Sequence, residues 1–491
     1  MDERSDPNFN RILAAQYADA VTVLSPDAIS STLSFLDLSA SFLLQMNDAS
    51  LPLMPEHLVD DICDILVFVS QMAPQVMDGI SLSHVFQLVI KLLSPKHAHT
   101  VRNYNLRAKL GDVLHDLYLP PNSSSNDNSS KVPRSVYCDP LALGQPRLLS
   151  DNSAKETLAP SLLLLYGEVE HTGHYEKMSH RANIASLLQF LWESNEHRPA
   201  FKRITNNKES FIKFANGIMN ETNSLITTIM EKLQEIRKVQ LQMANTSEWA
   251  ALSNEQRETI TSRHEENERE VTPALPLCNK TLQMLEFLNT DADIRALFLL
   301  EEMCPRLVNM LMHVLTKLVR TKGKELKVNN PEKYNFRPKE MLRNLCSIFA
   351  TFASSQQFQE SCARSGYHNT GLMENAVKTC DKYNLLTPSS MKDFASLPNR
   401  IELAAKVVQD VDALTEDAPD EFLDPLMCTY MKDPVILPTS GNIIDRSTIT
   451  QHLLNDPHDP FNRELLKIED VVPATDLKNR MELWLKQKQG L

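Results

Sequence analysis

The chain has 491 residues, with 63 acidic against 50 basic side chains and a formal net charge of −13. That length exceeds one ordinary domain, and the acidic balance argues against a non-specific nucleic-acid binder, which needs a basic footprint. Only 11 glycines and 6% aromatics beside 42% hydrophobic residues favour a long helical protein, and the longest apolar runs, such as Leu162–Leu165, fall far below the roughly 20 residues of a membrane span.

The start, Met1-Asp2-Glu3-Arg4, lacks the features of a signal peptide, so the expectation is a soluble protein of cytoplasm and nucleus with no membrane partner. The 8 cysteines form no Cys-x-x-Cys pair and read as scattered buried thiols. In residues 1–40, Ile12, Leu13, Ala14, Tyr17, Ala18 and Val21 fall at helical spacing. Leu58, Ile62, Ile65, Leu66 and Val69 repeat the pattern, and Val85, Leu88, Val89, Leu92 and Leu93 read as a buried helix face. His84 precedes that face without a clustered partner and is assigned no chemical role. Residues 94–119 read as a short loop followed by a helix. Together, residues 1–119 form an N-terminal helical part. Residues 120–157 follow as an insertion rich in Ser and Asn near its start, expected to be disordered.

From Leu158 to residue 414 the helical pattern is nearly unbroken. One stripe holds Leu225, Ile229, Leu233, Ile236, Val239 and Met243. Another holds Leu300, Met303, Leu307, Met310, Leu311, Val314, Leu315 and Leu318. Such helices must stack to bury their stripes. No fixed period recurs, so the expected architecture is mostly α, an irregular α-solenoid of armadillo or HEAT type. His171 and His174 beside Glu168 and Glu170 read as a solvated loop rather than a metal site, and His97 and His99 as surface residues. The polar stretch 415–419 reads as a hinge.

Residues 420–491 change character. Val435-Ile436-Leu437 and Ile443-Ile444 are short β-branched runs, separated by the turn signals Pro438-Thr439-Ser440-Gly441-Asn442. Ser447 can cap a helix carrying Ile449, His452 and Leu453. Proline- and aspartate-rich loops flank this ββα unit. That layout is a RING finger's, but one cysteine, Cys428, and two histidines, His452 and His458, cannot supply the ligands for two zinc ions. Asp424, Asp433, Ser440, Asp445, Arg446, Asp459 and Asn462 can hold the loops by charge-assisted hydrogen bonds instead.

Through Phe422-Leu423-Asp424-Pro425, Asp433-Pro434-Val435, Asp445-Arg446 and Asp459-Pro460-Phe461-Asn462-Arg463 the stretch resembles a U-box. Upstream, Arg102-Asn103-Tyr104, Tyr175-Glu176-Lys177-Met178, Phe211-Ile212-Lys213-Phe214-Ala215-Asn216 and Asn329-Asn330-Pro331-Glu332-Lys333-Tyr334-Asn335-Phe336 resemble the core of the ubiquitin-chain elongation factors. Members of that family extend further at the N-terminus. Their Asp-Gly-Arg-Ser-Tyr run stands here as Arg364-Ser365-Gly366-Tyr367-His368, and a usual loop proline is Leu465.

The resemblance implies a U-box ubiquitin-protein ligase that needs no cofactor and no metal. It implies a charged ubiquitin-conjugating enzyme, ubiquitin and ubiquitylated substrates as partners. It also implies an AAA ATPase segregase of the valosin-containing type and a role in proteasomal and endoplasmic-reticulum-associated degradation. Leu426, Cys428, Pro460 and Phe461 become candidates for contact with the conjugating enzyme, Leu426 and Pro460 foremost, Phe461 leaning towards loop core. Nothing activates Cys428 as a nucleophile. Arg463 becomes the cation that bridges the conjugating enzyme and ubiquitin, the alternative being a structural bond within its own loop. The alternative is a non-catalytic helical scaffold for ubiquitylated cargo or the ATPase.

Overall fold

The computed structural model describes residues 21–77, 80–97, 100–120, 146–206, 208–320, 328–365, 371–415, 417–453 and 456–488, with Arg11, Ala14, Ala15 and Ala18. Ile12, Leu13, Tyr17, His99 and residues 121–145, which include the Ser/Asn run and Cys138, lie outside those residues, as do 366–370. Helices dominate, as the glycine-poor composition implies. The chain divides into two compact units. One comprises Met1–Gly217, Glu268–Phe287 and Glu332–Asn335; the other comprises Ile218–Asn267, Leu288–Pro331 and Phe336–Leu491.

In the first unit, helix Pro26–Gln45 packs on Ser83–Leu93, and His57–Met72 packs on Tyr104–Tyr118. Tyr104–Tyr118 in turn packs on His174–Glu193. This is the stacking expected of an irregular α-solenoid. Val85, Leu88, Val89, Leu92 and Leu93 are all buried. His84 does have a partner: Asp37 Oδ2 meets its Nδ1 at 2.7 Å, and Asp37 Oδ1 accepts the backbone N–H groups of His84 and Val85. A carboxylate from a neighbouring helix thus caps the start of Ser83–Leu93. The pairing spans 47 residues of sequence, which local pattern reading cannot reach. His97 is buried rather than on the surface, bonded to Ser94 and Asp48.

Regular structure resumes before residue 158. Arg147–Ser150 is helical, and Asp151 caps helix Asn152–Glu168 by accepting the Ala154 N–H at 2.9 Å. The last dozen residues assigned to the insertion are therefore mostly helix. Val169–His171 forms a 3₁₀ turn and His174 opens helix His174–Glu193, so helical structure flanks a short turn where a solvated loop was expected. Among the described residues, no group of three or more His, Cys, Asp or Glu is placed to hold a metal ion.

In the second unit, helices Cys304–Arg320, Pro338–Phe352, Gln356–Arg364 and Leu372–Lys382 pack against one another. The last three also pack on Pro388–Thr415. Phe349, Phe352, Phe358 and Phe394 meet there in stacked, tilted and edge-to-face pairs. Cys304, Cys346, Cys362 and Cys380 are buried in the same unit as free thiols.

The C-terminal stretch is a small sheet between two helices. Strands β1 (Pro434–Ile436) and β2 (Ile443–Asp445) pair antiparallel, with Val435 opposite Ile444. A two-residue strand, β3 (Val472–Pro473), adds to the other edge of β1. The ββα expectation omitted it, because two residues ending in proline carry no strand signal. Alternation splits the hairpin between two cores. Val435, Leu437 and Ile444 pack with Ile449 of helix Arg446–Leu453, Leu466 and Val471. Ile436 and Ile443 turn the other way, towards Phe422, Met431, Leu477 and Met481, the last two from helix Thr475–Lys488.

Candidate functional site

Both loops beside the hairpin are built from the same turn. The first reads Asp424-Pro425-Leu426-Met427-Cys428-Thr429 and the second Asp459-Pro460-Phe461-Asn462-Arg463-Glu464. In each, the aspartate backbone carbonyl accepts from the fifth residue: Cys428 N–H to Asp424 at 2.8 Å, Arg463 N–H to Asp459 at 2.9 Å. In each, the aspartate N–H donates to the sixth, Thr429 or Glu464, at 2.8 Å. The aspartate side chain folds over its own turn. Asp424 Oδ1 accepts the Leu426 and Met427 N–H groups, and Asp459 Oδ1 accepts the Phe461 N–H. The fifth residue is left-handed in both, φ 53° at Cys428 and 63° at Arg463. A single bridge closes each base, Leu423 with Tyr430 and His458 with Leu465.

Two more bonds pin these turns to opposite ends of the hairpin. Asp424 Oδ2 accepts the Asp445 N–H at 3.0 Å at the open end. Thr439 Oγ1 donates to Asp459 Oδ2 at 2.5 Å at the turn end, where Gly441 takes φ 73°. The three-residue strands between these ends are only about 10 Å long. Asp445, 6% exposed, draws in the far side of the first loop. Its carboxylate accepts the Lys432 and Asp433 N–H groups and both the N–H and hydroxyl of Ser447. Asp433 in turn bonds Arg446 Nε at 2.7 Å and Lys478 Nζ at 2.8 Å. Those bonds, Lys478 first, hold its carboxyl below the usual range. Asn462 donates to the Thr439 carbonyl at 2.9 Å. At Asp459, burial pushes the carboxyl up, but hydrogen bonds from Thr439 and the backbone, with the Ser440 hydroxyl close by, outweigh it and the net shift is down.

Asp424, Asp433, Asp445, Arg446, Asp459 and Asn462 each bridge loop to hairpin, loop to helix or turn to turn. Ser440 departs from expectation. Its hydroxyl is buried near Asp459 yet closes no hydrogen bond of ordinary geometry. Thr439 does that work, and Lys478 anchors Asp433; neither was singled out from the sequence. The repeated Asp-Pro was the available signal for the twin turns.

The tips point outward. Leu426 and Met427 are exposed on the first loop, and so is Cys428. Pro460 is half-buried on the second. Phe461 is 37% exposed, which corrects its reading as loop core: the Asp459 turn closes beneath it and leaves the ring outside. Arg463 is 73% exposed in its side chain, with NH1 donating to Asp456 Oδ2 at 2.7 Å. The site thus offers apolar anchors and a forked cation on stiff loops, which is equipment for docking and orienting a partner.

A family model described as the ubiquitin elongating factor core matches residues 3–402, and a U-box domain model matches residues 418–490. The chain belongs to the ubiquitin elongating factor family and carries a U-box. A probable ubiquitin conjugation factor E4 from Arabidopsis thaliana is 34% identical over 447 residues, covering 89% of this chain and 41% of the relative. The E4 ubiquitin-protein ligase UFD2 from Saccharomyces cerevisiae is 33% identical, covering 72% and 38%, respectively. A ubiquitin conjugation factor E4 A from Bos taurus is 28% identical, covering 90% and 41%. The chain thus spans about two fifths of the length of these curated relatives. The twin turns, the hairpin and the Asp445 hub all fall within the U-box match.

Proposed function

We propose that this chain is a U-box ubiquitin-protein ligase that extends ubiquitin chains. The observation that carries the reading is the pair of pinned loops, with Leu426, Met427, Pro460 and Phe461 at their tips and Arg463 beside them. Apolar groups on rigid loops are what a small docking interface for a conjugating enzyme requires. The covalent step belongs to that enzyme. A lysine amine attacks the thioester carbonyl, the C–S bond breaks, the thiol leaves and an isopeptide bond forms. The U-box contributes position. Arg463 carries an exposed planar fork of donors able to bridge two backbone carbonyls, which suits it to hold ubiquitin back against its carrier.

The relatives' names, conjugation factor and ubiquitin-protein ligase, support the ligase reading, and the elongating-factor description of the matching family model supports chain extension. On family grounds we extend the proposal to an AAA ATPase segregase as partner, to endoplasmic-reticulum-associated and other proteasomal degradation as the outcome, and to cytoplasm and nucleus as the setting. Incubation with purified activating enzyme, conjugating enzyme, ubiquitin and ATP tests the central claim by chain formation. Leu426→Ala and Pro460→Ala are expected to keep the fold and weaken binding of the conjugating enzyme at least tenfold, about 1.4 kcal/mol. Titrations giving wild-type affinity for both would remove these tips from the interface, and no chain formation with a panel of conjugating enzymes would leave the helical-scaffold alternative.

A further inference from the structure

The twin loops control for each other. Three residues before each turn aspartate stands an acid: Glu421 before Asp424, and Asp456 before Asp459. Glu421 reaches out of its loop to Arg480 on helix Thr475–Lys488, at 2.9 Å. That bond fastens the loop to the body. Asp456 does something else. Its Oδ1 takes His458 Nδ1 at 2.5 Å and its Oδ2 takes Arg463 NH1 at 2.7 Å, so both oxygens bond within the second loop. Other bonds hold that loop as well. Its base is already closed by Asp459, Asn462 and the His458–Leu465 bridge.

The atom chosen on Arg463 matters. A guanidinium has one edge made of Nε and NH2, which can span two acceptors side by side. NH1 lies off that edge. Asp456 binds NH1 alone, and neither Nε nor NH2 has a hydrogen-bond partner among the described residues. The contact therefore fixes where the guanidinium sits and leaves the Nε/NH2 edge free. The anchor itself is held. The Asp456 N–H donates to the His452 carbonyl at 3.0 Å, and His452 Nε2 bonds the His458 carbonyl at 2.9 Å.

We propose that Asp456 is a positioning residue for the transfer reaction: it holds Arg463 by NH1 so that the Nε/NH2 edge is already aimed when charged conjugating enzyme arrives. This rests on the ligase reading above. An exposed ion pair contributes little to stability. Its value here is in rotamers. A free arginine must be ordered at the moment of binding, and that cost falls if one donor is tethered beforehand. Docking also strips water from the pair, which strengthens the tether when it is used.

The test is single-turnover discharge of a ubiquitin-charged conjugating enzyme onto free lysine, with the full chain as wild type, Asp456→Ala, Arg463→Ala and the double variant. Asp456→Ala is expected to slow discharge about three- to tenfold, the size of ordering one long side chain. Affinity for the uncharged conjugating enzyme stays within about twofold, because the apolar tips carry that binding. The double variant runs no slower than Arg463→Ala, since Asp456 acts only through Arg463. Asp456→Glu, which keeps the charge, recovers part of the rate.

A slow Arg463→Ala beside a wild-type Asp456→Ala overturns the positioning role and leaves the ligase reading standing. Both single variants at the wild-type rate remove Arg463 from the mechanism and Asp456 with it. An Asp456→Ala faster than wild type makes the contact a restraint and overturns the proposal. So does a further slowing of Arg463→Ala by Asp456→Ala, the mark of a merely structural role. If Asp456→Ala unfolds, Asp456→Asn, of the same size, is read in its place by the same criteria.

Discussion

Cys428 and Arg463 share a left-handed backbone that L side chains adopt at a cost of about 1–2 kcal/mol. Glycine at Cys428 removes that strain but adds freedom to the unfolded chain, an opposing effect of about 0.4–1 kcal/mol. Cys428→Gly is therefore expected to leave stability near the wild-type value, whereas β-branched Cys428→Val destabilises by more than about 1 kcal/mol. Denaturant unfolding followed through Trp484, which stacks on Tyr430, reads this; a valine variant as stable as the glycine one would contradict the left-handed assignment. Asp445 makes a larger claim. Asp445→Ala strands the N–H groups of Lys432, Asp433 and Ser447, each worth about 1–3 kcal/mol when buried without a partner. The expected result is loss of protection from hydrogen exchange across both loops, and wild-type protection there would remove Asp445 from its place as hub.

At the scale of elements, helices Pro26–Gln45 and His57–Met72 carry an apolar groove of about 690 Å³. Phe35, Leu38, Phe42 and Leu58 line it and remain exposed. An apolar patch of this kind promotes association. Phe42→Lys is expected to reduce binding of a hydrophobic dye and raise solubility without lowering the melting temperature, because the ring is 60% exposed; a drop of several degrees would show it to be core. Local periodicity marks Leu58–Val69 as a helical stripe and cannot tell which half of a stripe has a neighbour. The same limit explains the other differences. Helix faces at Val85–Leu93 and Leu225–Ile236 were legible because their signal lies within a few turns. The Asp424 and Asp459 turns were legible because an aspartate–proline pair acts on its own loop. The Asp37 cap on His84, the Thr439 bond to Asp459 and the Lys478 anchor on Asp433 join residues 20 to 47 positions apart, and no local pattern announces them. Phe461 was misread because hydrophobicity alone does not distinguish a ring needed inside from one placed outside.

For the molecule as a whole, the charge state of a few buried groups sets the response to acid. His197 is fully buried, and burial holds its imidazole below the usual range, while His313 is lowered by burial and then by Lys317. Above about pH 7.5 both rings are neutral whether the chain is folded or not, and contribute no pH dependence. As pH falls through the ordinary histidine value near 6.5, the unfolded chain takes up protons that the folded one refuses, so stability drops. The carboxylates act later. Asp433 and Asp459 are held low, so their stabilisation is complete above the unfolded value of about 3.9 and is lost as pH falls through their folded values. Glu301 has the opposite sign: burial raises it, and the stability it adds in acid is lost as pH rises through its folded value. Through these histidines the apparent melting temperature is expected to fall as pH drops through about 6.5. His197→Phe is expected to flatten that slope by replacing a buried proton acceptor with an apolar ring. Glu301→Gln is expected to remove a contribution of the opposite sign, since burial raises that carboxyl. Thermal scans at half-unit steps decide the matter: a His197→Phe protein whose melting temperature falls as steeply as wild type would place the acid sensitivity elsewhere.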